Sequence, residues 1–217
     1  MLDPKKDPIW KMMGLLFKPH PWQGIPIGDN ASEKVTVFVE IVPTDTVKYE
    51  IDKQTGYLKV DRPQRFSNVS PSMYGLIPQT FCAENVAAYC DEKTGRKGIV
   101  GDGDPLDICV LAEKTITMGG ITLEAIPIGG LRMLGGDEAD DKSIAVMKGG
   151  AIYGNMRDIH EGPPSYKDIP GSSKSRTEIT HIYGREEAHE VIRRSQMDYE
   201  TRFGGIEEML TEILRGV

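Results

Sequence analysis

The sequence predicts an α+β fold, mainly β, in which short strands curl into a small closed barrel with helices packed outside. Three observations predict it. Short apolar runs with strand periodicity recur between residues 35 and 147, Gly- and Pro-rich turns separate them, and convincing helical spacing is confined to the C-terminus. The 217 residues fit one domain able to bury a substantial core.

The elements follow in order. Residues 1–33 are rich in Pro, Gly and Lys and read as an irregular arm over the domain. Val35 to Val42 is a strand closed by Pro43. Val47 to Ile51 alternates, with Val47, Tyr49 and Ile51 on one face and Lys48 and Glu50 on the other. Asp52 to Gly56 is a turn, and Tyr57 to Val60 returns as the second strand of a hairpin that Asp61-Arg62 ends. The Pro-rich span 63–80 has room for a short strand around Tyr74-Gly75-Leu76-Ile77. Residues 82–101 read as a polar, mobile loop insertion with Asp91 to Gly98 at its tip. Strands at 107–112, 121–134 and 143–147 follow. Residues 185–215 are the C-terminal helices. Arg185 to Phe203 sets Ala188, Val191, Ile192 and Tyr199 near one face and stops at Gly204-Gly205, and Ile206 to Leu214 forms a second, short helix.

Composition narrows the function. A net charge of −7, from 26 basic and 33 acidic residues, argues against nucleic acid or an anionic membrane as main partner. Aromatics are 7% of the chain, too few for base-stacking strands. Cys82, Cys90 and Cys109 are odd in number and form no CxxC pair, so a reducing cytoplasm is the expected setting; Cys109, in an apolar strand, reads as core. The apolar run Ile9 to Phe17 is broken by Lys11 and lacks a cleavage site, and nothing approaches a membrane span.

The chemistry concentrates in Asp102-Gly103-Asp104-Pro105-Leu106-Asp107. At an effective dielectric near 20 and about 5 Å, each like-charged pair costs roughly 3 kcal/mol, so a proton or a divalent cation must neutralise the cluster. Asp102 and Asp104, two apart, share one side of an extended backbone, and Pro105 lets the chain turn Asp107 back toward them. Hard oxygen donors suggest Mg²⁺, with Mn²⁺ or Ca²⁺ also compatible. The apolar run Ile108 to Leu111 follows at once, placing the acids at the mouth of a buried strand. A second acidic run, Asp137 to Asp141, ends in Lys142 and also leads into a strand. With Lys48, Glu50, Glu40 and Asp61-Arg62 on neighbouring strands, these residues suit a pocket that clamps a polyanion between metals and cations, as phosphoryl transfer requires. The four histidines form no HExxH motif and read as surface or packing residues.

The chain resembles the family I soluble inorganic pyrophosphatases. Asp102 to Asp107 matches their D-[G/S]-D-P-[aliphatic]-D signature, and the resemblance continues through Lys48-Tyr49-Glu50-Ile51-Asp52, Val60-Asp61-Arg62, Tyr74-Gly75 and Asp140-Asp141-Lys142. It implies an OB-like five-stranded closed β-barrel with flanking helices, and Mg²⁺-dependent hydrolysis of pyrophosphate, with Mn²⁺ as a substitute. It also implies a homo-oligomer. Carried over by position, Asp102, Asp107 and Asp140 resemble the metal ligands, and Asp104 resembles the carboxylate that takes a proton from the attacking water. Lys48, Arg62, Tyr74, Lys142 and the Tyr166-Lys167 pair resemble the phosphate-binding residues, and Glu40 and Glu50 the supporting acids.

Three departures stand out. Gly135 occupies a position where the family usually has a further metal-binding Asp, which leaves Asp137 to reach across from the Gly135-Gly136 segment. Ser70 stands where many members carry Tyr. Residues 155–166 lack the long amphipathic helix that usually precedes the Tyr-Lys pair and contributes to subunit contacts. The segment 82–101 resembles the longer loop of one subgroup. The alternative reading is an OB-like protein that binds metal and pyrophosphate without efficient turnover.

Overall fold

The computed structural model describes residues 19–63, 70–149 and 177–204. Its elements are β1 (Val35–Ile41), β2 (Val47–Ile51), β3 (Leu58–Pro63), β4 (Met73–Leu76), α1 (Glu84–Thr94), β5 (Val100–Gly101), β6 (Asp107–Leu111), β7 (Ile121–Gly135), β8 (Glu138–Ala139), β9 (Lys142–Met147), β10 (Thr177–Gly184) and α2 (Arg185–Phe203). The Tyr166-Lys167 pair, the 155–166 segment, the 206–214 helix and most of the N-terminal arm lie outside the described residues.

Five strands close into a ring. β1 pairs with β4, β4 with β6, β6 with β9, β9 with β7, and β7 returns to β1. Only β6 and β9 run parallel within it. Closure leaves these strands no free edge, and the mainly-β expectation holds with two helices outside the ring. β7 makes closure possible: its first residues pair with β1 and its middle with β9, and a register shift between Pro127 and Gly129 bends it round the ring.

Side-chain alternation divides the core. Val35, Val37 and Val39 point into the main cluster with Ile108, Val110, Ala125 and Ala145. Phe38, on the opposite face of β1, joins Trp22, Ile51 and Leu76 in a second cluster that ties the hairpin and the described end of the N-terminal arm to the ring. Phe38 and Leu76 are register partners across β1 and β4. One position there admits only glycine, because a Cβ on Gly75 would stand 1.9 Å from the Phe38 carbonyl oxygen.

β2 and β3 form a separate two-stranded sheet, as the alternation of residues 47–51 predicts. The β4 strand falls within the predicted span, and α2 has the predicted bounds.

The segment 82–101 differs from the expected loop. It contains α1, an eleven-residue helix that buries Val86, Ala87, Tyr89 and Cys90. Its N-cap residue, Ala83, has no polar side chain to offer. Asp198 on α2 supplies the cap instead, accepting from the Ala83, Asn85 and Val86 amides at 2.9, 2.9 and 3.1 Å. At the other end Gly95 turns left-handed, and the Asp91 carboxylate accepts from the Gly98 and Ile99 amides. β10 is also unforeseen, an antiparallel strand added to the end of β7. Arg132 on β7 is buried, 1% exposed. It pairs with Glu187 of α2 at 2.7 Å and Asp141 at 3.5 Å, between the rings of Tyr89 and Tyr183. No helix among the described residues is long and apolar enough to cross a membrane.

Candidate active site

The two sheets face each other across a cleft of about 390 Å³. The hairpin contributes Lys48, Glu50, Lys53 and Arg62, and the ring contributes Glu40 from β1, Tyr74 from β4, Asp107 from β6 and Lys142 from β9. Asp102, Asp104 and Asp140 enter from the connections leading into β6 and β9. Parallel pairing of β6 with β9 sets Asp107 directly beside Lys142, so two acidic runs far apart in sequence meet at one end of the ring.

The acidic loop is held from both sides. Leu106 is fully buried, its amide donates to Thr80 Oγ1 at 2.9 Å, and its carbonyl accepts from the Ile77 amide. The Asp104 carbonyl accepts from the Cys82 amide, and the Gly103 amide donates back to the Cys82 carbonyl. Gly103, at φ 72°, occupies the left-handed region that favours glycine, and the Asp104 amide donates to Asp102 Oδ1 at 3.0 Å. The anchored backbone leaves the carboxylates little freedom to separate.

Most of the charge inside the cleft is paired. Lys142 is buried and its ammonium bridges Asp107 and Asp140, while the Tyr74 hydroxyl donates to Asp107. Lys53 pairs with Asp104. Lys48 lies 3.1 Å from Glu50 and 3.2 Å from Asp61, which also holds Arg62 at 2.8 Å. Glu40 accepts from the Ile51 amide at 2.7 Å, joining the hairpin to the ring.

Burial raises Asp102 to about 7, and the charges of Asp140 and Asp107 push the same way. Burial likewise raises Glu40 to about 8, reinforced by Asp107. For Lys142, burial pulls the ammonium down, but Asp107, Tyr74 and Asp140 outweigh it and hold the group well above its ordinary value. The Tyr74 hydroxyl is pushed up by burial and by Asp107.

Most of the expected site residues therefore share one cleft. Asp137 does not: it is exposed at the β7–β8 turn and outside the lining. Among the lining residues with chemistry to offer, three had not been assigned to the site. Lys53 carried no motif, Glu138 lay in the second acidic run but was passed over for Asp137, and Cys109, expected in the core, faces the cleft. Ser70 also lines it, its hydroxyl donating to the Ser72 carbonyl at 2.6 Å.

Among the described residues no three acidic, His or Cys side chains converge closely enough to hold an ion, because Lys142 fills the space between Asp107 and Asp140. The donor set nonetheless fits a hard cation. It is all oxygen, it is crowded with like charge, and Asp102 is a carboxylate whose ionisation a nearby cation would favour. Fold and site together define a β-ring protein with a cleft for a polyanion and hard cations.

The comparisons with known proteins agree. A family model described as inorganic pyrophosphatase matches residues 37–200. An inorganic pyrophosphatase of Chlamydia trachomatis is 47% identical over 195 residues, covering 83% of this chain and 93% of its own. Soluble inorganic pyrophosphatase 3 of Arabidopsis thaliana is 34% identical, covering 81% and 76% respectively. The crystal structure of inorganic pyrophosphatase from Thermus thermophilus superposes with a TM-score of 0.66 at 26% identity, covering 84% of this chain and 99% of that one. The chain belongs to the inorganic pyrophosphatase family, enzymes that hydrolyse pyrophosphate.

Proposed function

We propose that the cleft hydrolyses pyrophosphate to two phosphates with Mg²⁺, for which Mn²⁺ substitutes. The observation that carries this reading is the gathering of acids from two distant runs with Lys48, Arg62, Tyr74 and Lys142 around one cavity. Asp102, Asp107 and Asp140 would hold the cation, which when bound acidifies water and neutralises phosphate oxygens. Asp104 accepts the proton as water oxygen attacks one phosphorus and the bridging P–O bond breaks. Lys48, Arg62 and Lys142 neutralise the phosphate oxygens, and the Tyr74 hydroxyl, released from Asp107 when that carboxylate turns to the cation, donates a hydrogen bond to them. Tyr166 and Lys167, outside the described residues, are assigned to the same phosphate grip. Glu40 and Glu50 support by fixing the hairpin amide and Lys48. The enzyme works in the cytoplasm as a homo-oligomer, a setting in which Cys82, Cys90 and Cys109 stay unpaired.

The test is phosphate release from pyrophosphate with Mg²⁺. Asp104→Asn lowers kcat by about 10²- to 10⁴-fold, the range removal of a general base gives. Equal rates in variant and wild type would remove Asp104 from the mechanism.

A further inference from the structure

We infer that Glu138 supplies a carboxylate to the cation site from the β7–β8 hairpin, at the place where Gly135 has no side chain. The inference rests on the assignment of Asp102, Asp107 and Asp140 as ligands. Gly135 and Glu138 are directly opposed in the β7–β8 ladder, and opposed residues of an antiparallel pair project to the same face. Both line the cleft with Asp102 and Asp140. Asp137, one residue back in the turn, does not, and its carbonyl accepts from the Val100 amide at 2.9 Å.

The state of the carboxylates singles Glu138 out. Each of the other acids lining the cleft is engaged: Glu40 with the Ile51 amide, Glu50 with Lys48, Asp102 with the Asp104 amide, Asp104 with Lys53, and Asp107 and Asp140 with Lys142. Glu138 has no hydrogen-bond or ion-pair partner among the described residues. A further negative charge beside such a cluster is disfavoured until a cation joins it. Space permits the approach, since a Cβ built on Gly135 would meet nothing within 4 Å. The longer Glu138 side chain can therefore fold across the Gly135 backbone toward Asp140.

The experiment measures Mn²⁺ binding to the metal-free full chain by electron paramagnetic resonance, with Mn²⁺ alone and no pyrophosphate. Glu138→Gln weakens Mn²⁺ binding about tenfold, as loss of one charged oxygen ligand predicts. Gly135→Asp added to that variant restores a carboxylate on the same face and recovers the affinity, and Asp137→Asn binds as wild type. Unchanged binding in Glu138→Gln, or a loss that Gly135→Asp does not recover, overturns the inference. Asp102→Asn in the same series separates the two levels. If it binds Mn²⁺ like wild type, the ligand assignment falls and the inference with it. If it loses Mn²⁺ while Glu138→Gln does not, the inference alone falls.

Discussion

Glu40 shows how the ring controls single ionisable groups. It is 4% exposed, and burial lifts it from 4.5 to about 8, so the folded metal-free protein keeps a proton that the unfolded chain loses. The sign follows: its contribution to stability is complete below about pH 4.5 and is lost as pH rises through 8. Asp102, raised to about 7, acts in the same direction. Melting temperature in the presence of a chelator therefore falls from pH 5 to 9, and Glu40→Gln flattens the upper part of that fall. A wild-type melting temperature that rises across the window would contradict this protonation state. At this scale motif residues were legible in the sequence, because Asp102, Asp104, Asp107 and Lys142 are identified by spacing. Lys53 was not, and Glu138 was legible only as a member of the second acidic run. A lysine in a hairpin turn looks like an ordinary solvated residue until the fold sets it against Asp104, and a glutamate inside an acidic run cannot be told from its solvated neighbours until the β7–β8 register turns it to the cleft.

At the level of elements, strands with local alternation were legible and two elements were not. The helix α1 begins at Glu84, after an Ala83 that provides no side-chain cap, and its charged tip resembles a loop. Its missing signal lies more than a hundred residues away, in the Asp198 carboxylate that binds three amides of its first turn. β10 was hidden by a register shift between Ile179 and His181, which breaks strict alternation, and by its outward-facing Ile182. Asp198→Ala leaves buried amides unsatisfied and lowers unfolding free energy by about 2–4 kcal/mol, measured as a reduced urea midpoint. A midpoint within error of wild type would show that water or another side chain already caps α1.

Across the whole molecule, the five-strand ring explains why the site is composite. Parallel pairing of β6 and β9 joins Asp107 to Lys142, the β2–β3 hairpin closes over them with Lys48 and Arg62, and the cleft lies between the two sheets. The sequence identified residues on both sides of the cleft, since phosphate-binding cations recur with strand acids along the chain. It could not show which hairpin residue faces Gly135, because facing depends on a turn register that no local motif specifies. On this reading the cleft performs cation-dependent pyrophosphate hydrolysis. That activity is tested most directly by phosphate release from pyrophosphate across a Mg²⁺ titration, with wild type and Asp102→Asn compared under chelator-controlled conditions. Turnover is absent without Mg²⁺, rises to saturation in wild type, and in the variant is displaced to much higher Mg²⁺ or abolished. Hydrolysis that persists without a divalent cation, or identical titrations for the two proteins, would contradict it.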